Sequence, residues 1–370
     1  MKKIGILTLP GNFNYGNRLQ NYALQTVLEK RNYQVETLDI SFSRKSNAKK
    51  ILAAFIRCCL SPSLLKLLFH KREYNSDSFS DMSKLKTPKI MKFTENFIKT
   101  RYIFSNNELN DVVSQFDFFI TGSDQVWNQS SISDSTYFLD FAPFDKRYSY
   151  AASFAKAKIL NADRRYYKKN INNMKKISVR EDQGRKIVNE LTDRDAEVHV
   201  DPTMLLTSKE WRELALQEDL KWLPEKKFVL VYTLRGMDDE KKRELKEFIR
   251  KKDYEVISVM GNSIEENSQI LTVIQFIQAI DNAEFVLTDS FHGTVFSIIF
   301  ESPFQVLESE TGKTNSRLDT LLEKFNLERN SSKQNNTFYE LLETNFANSK
   351  KILVKEKEKS KDYFDSFLGE

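Results

Sequence analysis

The chain has 370 residues, with 57 Lys and Arg against 52 Asp and Glu, so its formal charge is +5. That length exceeds the size at which single cores stop growing, and two domains are expected. With 40% hydrophobic and 29% charged residues it reads as globular, and its mild, interspersed charge gives no sign of a nucleic-acid groove.

The start, Met1-Lys2-Lys3-Ile4, superficially resembles a secretory signal, but the apolar run stops at Leu9 and no small-residue cleavage site follows Pro10. It reads as a buried first strand, Lys3 to Thr8. A loop to Asn17, a helix from about Arg18 to Arg31 and a strand from Gln34 to Ile40 complete a βαβ unit. The loop after the first strand therefore lies at the carboxyl edge of a parallel sheet, where ligands of open α/β sheets bind.

Residues 42–100 break the rhythm as a basic, amphipathic insert. The segment Lys49 to Phe69 is apolar with basic edges, which suits either a membrane interface or a helical hairpin packed on the first domain. Cys58 and Cys59 are adjacent, close no useful loop and fit a reducing compartment. No uncharged apolar run reaches the ~18 residues of a membrane span, so the expected location is cytoplasmic, with room for peripheral contact at the inner membrane face.

The pattern resumes with strands at Phe116 to Ile120, Tyr148 to Phe154, Lys176 to Val179 and Glu197 to Val200. A helical stretch around Trp211 marks the crossover, dividing the chain into domains 1–205 and 206–349. The second half repeats the grammar. Strands are expected at Phe228 to Leu234, Tyr254 to Met260, Glu284 to Thr288 and Phe304 to Leu307. Helices are expected at Asp238 to Lys252, Thr272 to Asn282 and Gly293 to Phe300. Residues 350–370 read as a helical tail, either solvated or lying back across the first domain. The fold class is α/β, with two Rossmann-like domains facing each other across a cleft.

Four segments are candidates for functional chemistry. Gly11-Asn12-Phe13-Asn14-Tyr15-Gly16-Asn17-Arg18 is a strand-to-helix turn whose N–H groups can face an anion, or an Asn-rich turn with Asn17 capping the helix. Thr121-Gly122-Ser123-Asp124-Gln125-Val126-Trp127-Asn128 places more polar and aromatic groups after a strand than a turn requires. In Ser178-Val179-Arg180-Glu181, the Arg can clamp a carboxylate or phosphate, or pair with Glu181 or Asp182. Thr288-Asp289-Ser290-Phe291-His292-Gly293 puts His292 at a strand end, suited to proton transfer with Gly293 permitting close approach, or else serving as a capping or core histidine. His70 and His199 read as structural.

These segments, with Asp201-Pro202-Thr203 and Asn315-Ser316-Arg317-Leu318-Asp319-Thr320-Leu321-Leu322, occur in an order that resembles the polysaccharide pyruvyl transferase family over about residues 3 to 330. The resemblance implies a GT-B-like architecture, phosphoenolpyruvate as donor, and a sugar or lipid-linked oligosaccharide as acceptor, with no cofactor and no metal. By analogy, His292 is the general acid or phosphate-side proton donor, and Asp289 or Asp124 takes a hydroxyl proton. Arg180, Ser290, Phe291, Gly293, Asn12, Asn17 and Arg235 would bind the donor. Gln125, Trp127, Asn128 and Arg317 would bind the acceptor. Some relatives carry Arg where this chain has Ser290, which removes one anion anchor and leaves Arg235 or Arg317 to substitute. Two other readings share this fold: a nucleotide-sugar glycosyltransferase of the GT-B type, and a non-catalytic carbohydrate- or phosphate-binding protein.

Overall fold

The structure, a computed structural model, describes residues 1–12, 14–42, 76–130, 135–259, 269–307 and 316–369. The basic amphipathic segment 49–69, the Cys58-Cys59 pair, His70 and Asn315 lie outside the described residues. Two compact units emerge. The first comprises Met1–Gly11, Gln20–Lys84 and Thr94–Pro202, and the second Asn12–Leu19, Leu85–Phe93 and Thr203–Glu370.

In chain order the first half holds β1 (Lys3–Leu7), α1 (Tyr15–Glu29), β2 (Gln34–Ile40), α2 (Ser76–Phe97), β3 (Thr100–Ile103), α3 (Asn106–Gln115), β4 (Phe118–Thr121), β5 (Arg147–Ser149), α4 (Asn161–Asn172), β6 (Ser178–Val179), α5 (Asp182–Leu191) and β7 (Glu197–Val198). The five-stranded sheet runs β3-β2-β1-β4-β5, all parallel. Parallel bridges Tyr148↔Lys176 and Ala152↔Val179 join it to the β6-β7 pair. Ile4, Ile6 and Leu7 are all buried, which is why β1 reads as a continuous apolar run rather than an alternating one.

The expected strand Tyr148 to Phe154 ends early, at Ser149. Ala151 takes φ 49°, a left-handed conformation that a strand does not continue through. The strand at Thr100–Ile103 and the helix at Asn106–Gln115 had no distinct sequence reading. α3 is set by Ser105, which accepts from Glu108 N at 3.3 Å as an N-cap.

The second half continues with α6 (Ser208–Ala215), β8 (Phe228–Tyr232), α7 (Asp239–Lys252), β9 (Glu255–Val259), α8 (Val273–Asn282), β10 (Phe285–Thr288), α9 (Phe291–Phe300), β11 (Phe304–Val306), α10 (Ser316–Phe325), α11 (Phe338–Leu342) and α12 (Ala347–Leu368). Its parallel sheet runs β11-β10-β8-β9. Asp238 and Thr272 cap α7 and α8, each accepting the amide three residues on. Every residue of α9 is buried, as an apolar-all-round helix requires.

The C-terminal helix is anchored within the second unit. Lys324 pairs with Glu356 at 3.1 Å, Ser349 Oγ donates to the Phe325 carbonyl at 2.9 Å, and Lys357 Nζ donates to the Leu206 carbonyl at 3.0 Å. Among the described residues, no helix is long and apolar enough to cross a membrane.

Candidate active site

In the second unit the site forms at the carboxyl ends of β8 and β10. Thr288 Oγ1 donates to the Tyr232 carbonyl at 2.6 Å and accepts the Ser290 amide at 3.0 Å. Ser290 Oγ accepts the Gly293 amide at 3.3 Å and so caps α9. His292 is therefore the second residue of a buried helix rather than part of a loose turn, and it is 7% exposed. The close approach expected at Gly293 comes from Thr288, whose Oγ1 would stand 2.6 Å from any Cβ there.

Asp289 has a different task from the one expected. Its two oxygens accept from Leu234 N at 2.6 Å and Arg235 N at 2.9 Å, which also ends β8 at Tyr232 instead of Leu234. Burial raises its carboxyl above the usual range, while those two amides and the Arg235 guanidinium pull it back. The geometry makes Asp289 a clamp on the loop after β8, not a base reaching for a hydroxyl. The Arg235 side chain itself is exposed, and Arg317 lies with its guanidinium carbon 5.9 Å from the centre of the Phe291 ring. Arg317 thus stands beside the His292 helix, in the second unit, whereas Gln125, Trp127 and Asn128 belong to the first.

The start of α1 belongs to this same unit. Asn14, not Asn17, caps the helix, its Oδ1 accepting the Asn17 amide at 3.4 Å. Asn17 is the third helical residue, and its Oδ1 accepts Arg18 Nε at 2.9 Å. Asn12 is partly buried in the preceding loop. Gly16 packs on His292 so closely that a Cβ would fall 2.0 Å from Nδ1.

Two buried cations were given no role in the sequence reading. Arg18 and Lys86 are each 3% exposed. Lys86 Nζ stands 4.0 Å from the centre of the Tyr15 ring, which stacks on Phe276 at 4.7 Å and donates its hydroxyl to the Leu271 carbonyl at 3.0 Å. Burial pushes the Lys86 ammonium down to about 7. Burial also raises the phenol of Tyr232, which faces both Tyr15 and the Ser290 hydroxyl. Arg18 was visible as the last residue of the first motif. Lys86 had no signal, because it lies in a stretch whose sequence follows no regular period.

In the first unit a second polar cluster gathers at the carboxyl ends of β4 to β7. Arg180 NH1 donates to Asp201 Oδ2 at 2.8 Å and to Ser123 Oγ at 3.3 Å, and NH2 lies 3.9 Å from Asp124. Ser123 Oγ donates to the same Asp201 oxygen at 2.8 Å. Glu181 Oε1 accepts from Ser153 Oγ at 2.9 Å and from Phe154 N at 3.0 Å. The ion-pair alternative for Arg180 holds, with Asp201 and Asp124 as partners in place of Glu181 or Asp182. With its side chain 2% exposed and committed to carboxylates, Arg180 is built into the scaffold and does not present a donor clamp.

Asp124 itself, at φ 75°, keeps a partly exposed carboxylate. Trp127 is fully buried, so it does not touch an acceptor. Its Nε1 donates to the Tyr137 carbonyl at 2.9 Å and its ring stacks on Phe138 at 5.1 Å. Gln125 and Asn128 bond each other, Asn128 Nδ2 to Gln125 Oε1 at 3.3 Å, at the surface.

The family model for polysaccharide pyruvyl transferases matches residues 14–310, and the chain belongs to that family of transferases. No curated protein matches the chain. Among solved structures, the UDP-GlcNAc 2-epimerase of Neisseria meningitidis bound to UDP-GlcNAc is similar at 11% identity and TM-score 0.50, over 97% of this chain and 100% of that one. A protein of Listeria monocytogenes described as a UDP-N-acetylglucosamine 2-epimerase is similar at 11% identity and TM-score 0.50, over 100% of this chain and 88% of that one. At such identity the likeness shows the fold: α/β of the GT-B type, as the alternation of strands and helices led us to expect.

Proposed function

We propose that the protein transfers the enolpyruvyl group of phosphoenolpyruvate to two hydroxyls of one sugar in a cell-surface polysaccharide or its lipid-linked precursor. The products are a pyruvate ketal and phosphate. The observation that carries this reading is the packing of His292 on Gly16 within the unit that also buries Arg18 and Lys86. A small, multiply charged donor needs cations and N–H donors around it more than an apolar pocket. Arg18, Lys86 and Arg317 offset the cation that Ser290 does not supply.

In this reading a proton reaches the methylene carbon of the donor and leaves C2 oxocarbenium-like. One sugar hydroxyl adds to C2, phosphate departs, and the second hydroxyl closes the ring. The two hydroxyl protons balance the one gained by the methyl group and the one carried off by phosphate. His292 delivers the proton, a step worth about 10²–10⁴-fold. Of the two expected carboxylate bases, Asp289 is already engaged, its oxygens holding the Leu234 and Arg235 amides.

The test is turnover with phosphoenolpyruvate and a panel of surface-glycan fragments, reading the ketal methyl signal by NMR beside released phosphate. One phosphate per ketal, with both lost in His292→Ala, is expected. Phosphate release that continues at the wild-type rate in His292→Ala would overturn the assignment.

A further inference from the structure

Over most of the chain acids and bases are interspersed, but not between residues 146 and 180. That stretch carries eleven Lys and Arg and a single acid, Asp163, which is buried. In a chain with 57 basic and 52 acidic residues, so one-sided a run is a local feature rather than general composition. Its centre is α4, in the first unit.

The helix is divided cleanly into two faces. Asp163, Tyr167, Asn170 and Ile171 are buried, and the Tyr167 hydroxyl donates to the Trp127 carbonyl at 2.6 Å. Arg164, Arg165, Lys168 and Lys169 are exposed, at the spacing that forms one stripe along a helix. Arg164 with Lys168 and Arg165 with Lys169 are like-charge pairs four residues apart, which work against the helix. Elsewhere this chain does the opposite. On α6 Lys209 pairs with Glu213, and on α7 Lys241 pairs with Glu244, Lys242 with Asp239 and Lys251 with Glu247. Among the described residues no carboxylate pairs with Arg165, Lys168 or Lys169. Arg164 NH2 donates to the Glu190 carbonyl, a neutral acceptor, at 3.3 Å. The neighbouring helix α5 brings exposed Asp182 and Glu190, offset by Arg185 and Lys186.

A helix of 12 residues is about 18 Å long, so the stripe is an extended cationic track fixed from behind. Such a track fits a polyanionic surface. Packed helices stand about 8–10 Å apart, so α4 and α5 form a wall roughly 20 Å wide, too broad for the ~12 Å major groove of DNA. Stacking of single-stranded bases needs exposed aromatics, whereas Tyr166 and Tyr167 pack edge-on against Phe138, each at 5.9 Å. The apolar side chain that does reach solvent is Leu160, the residue that opens α4, at 42% exposure. Cations beside an exposed aliphatic group suit the interface of an anionic membrane.

We propose that the exposed face of α4 is a docking surface for an anionic lipid bilayer, with Arg164, Arg165, Lys168 and Lys169 on the headgroups and Leu160 in the interface. The contact itself goes beyond the pyruvyl-transfer reading. Only its use, bringing the enzyme to a lipid-linked acceptor, rests on that reading.

The experiment is flotation of the full chain with vesicles of phosphatidylglycerol and phosphatidylcholine in equal parts. Vesicles of phosphatidylcholine alone and a mixed-sequence DNA duplex serve as comparisons. The protein should float with the anionic vesicles alone, and about 1 M salt should release it, because screening then acts within ~3 Å. Lys168→Gln/Lys169→Gln should weaken vesicle binding about 30-fold, each cation at such a surface contributing about five-fold. Gln matches Lys in helix propensity, so the unfolding temperature of this variant should be unchanged. Lys246→Gln/Arg250→Gln, which removes the same charge from exposed positions of α7 in the second unit, should leave binding unchanged. No flotation with anionic vesicles, equal flotation with neutral ones, or equal losses in the two variants would overturn the proposal. Binding to the duplex in place of the vesicles would also overturn it and make the stripe a nucleic-acid surface. The assay contains neither phosphoenolpyruvate nor sugar, so its outcome stands apart from that of the donor reading.

Discussion

The imidazole of His292 rests on the backbone of Gly16, where a Cβ would come within 2.0 Å of Nδ1 and 2.1 Å of Cγ. The first turn of α1 and the first turn of α9 are therefore matched in shape, and the glycine of one motif exists for the histidine of another. Gly16→Ala forces the ring to move or the helix to shift, at a cost of about 1–3 kcal/mol for overpacking. The expected result is a folded protein whose turnover falls ~10²-fold or more, since a misplacement of about 1 Å costs that much. Turnover within three-fold of wild type, at unchanged stability, would show that His292 needs no such seat.

Lys86 makes stability depend on pH in an unusual direction. Burial lowers its folded value to about 7 from an ordinary 10.5. Between those two values the unfolded chain holds a proton that the native chain lacks, so the contribution to stability rises with pH across that window. Below about 7 both states are charged and the full burial cost, about 5 kcal/mol, is present. Lys86→Met should remove this rise, stabilise the protein at pH 6 to 7, and weaken stabilisation by phosphoenolpyruvate. Urea unfolding at a series of pH values checks the first two effects. A variant that keeps the slope would assign it to another group.

Arg180 and Asp201 should behave as a buried pair. Removing either alone leaves an uncompensated charge and is expected to cost about 3–5 kcal/mol. The double variant Arg180→Ala/Asp201→Ala should be less destabilised than the sum of the singles by at least 1 kcal/mol. Additive losses would mean that the 2.8 Å contact contributes little, and would reopen a ligand-facing role for Arg180.

The sequence made the framework legible because central parallel strands bury both faces, so β1, β8 and β10 appear as short apolar runs before polar turns. It also brought forward segments that the fold joins. Ser123, Arg180 and Asp201 were expected as separate motif members, and they prove to be one hydrogen-bonded cluster. Their roles were less legible, because a motif does not say which way a side chain points. Trp127 faces inward to Tyr137, and Asp289 turns back to its own sheet edge. Lys86 was invisible, since a lysine signals burial only through its tertiary neighbours.

Thermal unfolding with phosphoenolpyruvate, UDP and GDP in parallel asks directly whether phosphoenolpyruvate is the donor. Donor at about 100 times its dissociation constant should add ~2.7 kcal/mol of native-state stability. A clear upward shift with phosphoenolpyruvate, reduced in Lys86→Met, and none with either nucleotide is expected. A shift with UDP or GDP and none with phosphoenolpyruvate would contradict it and point to glycosyl transfer instead.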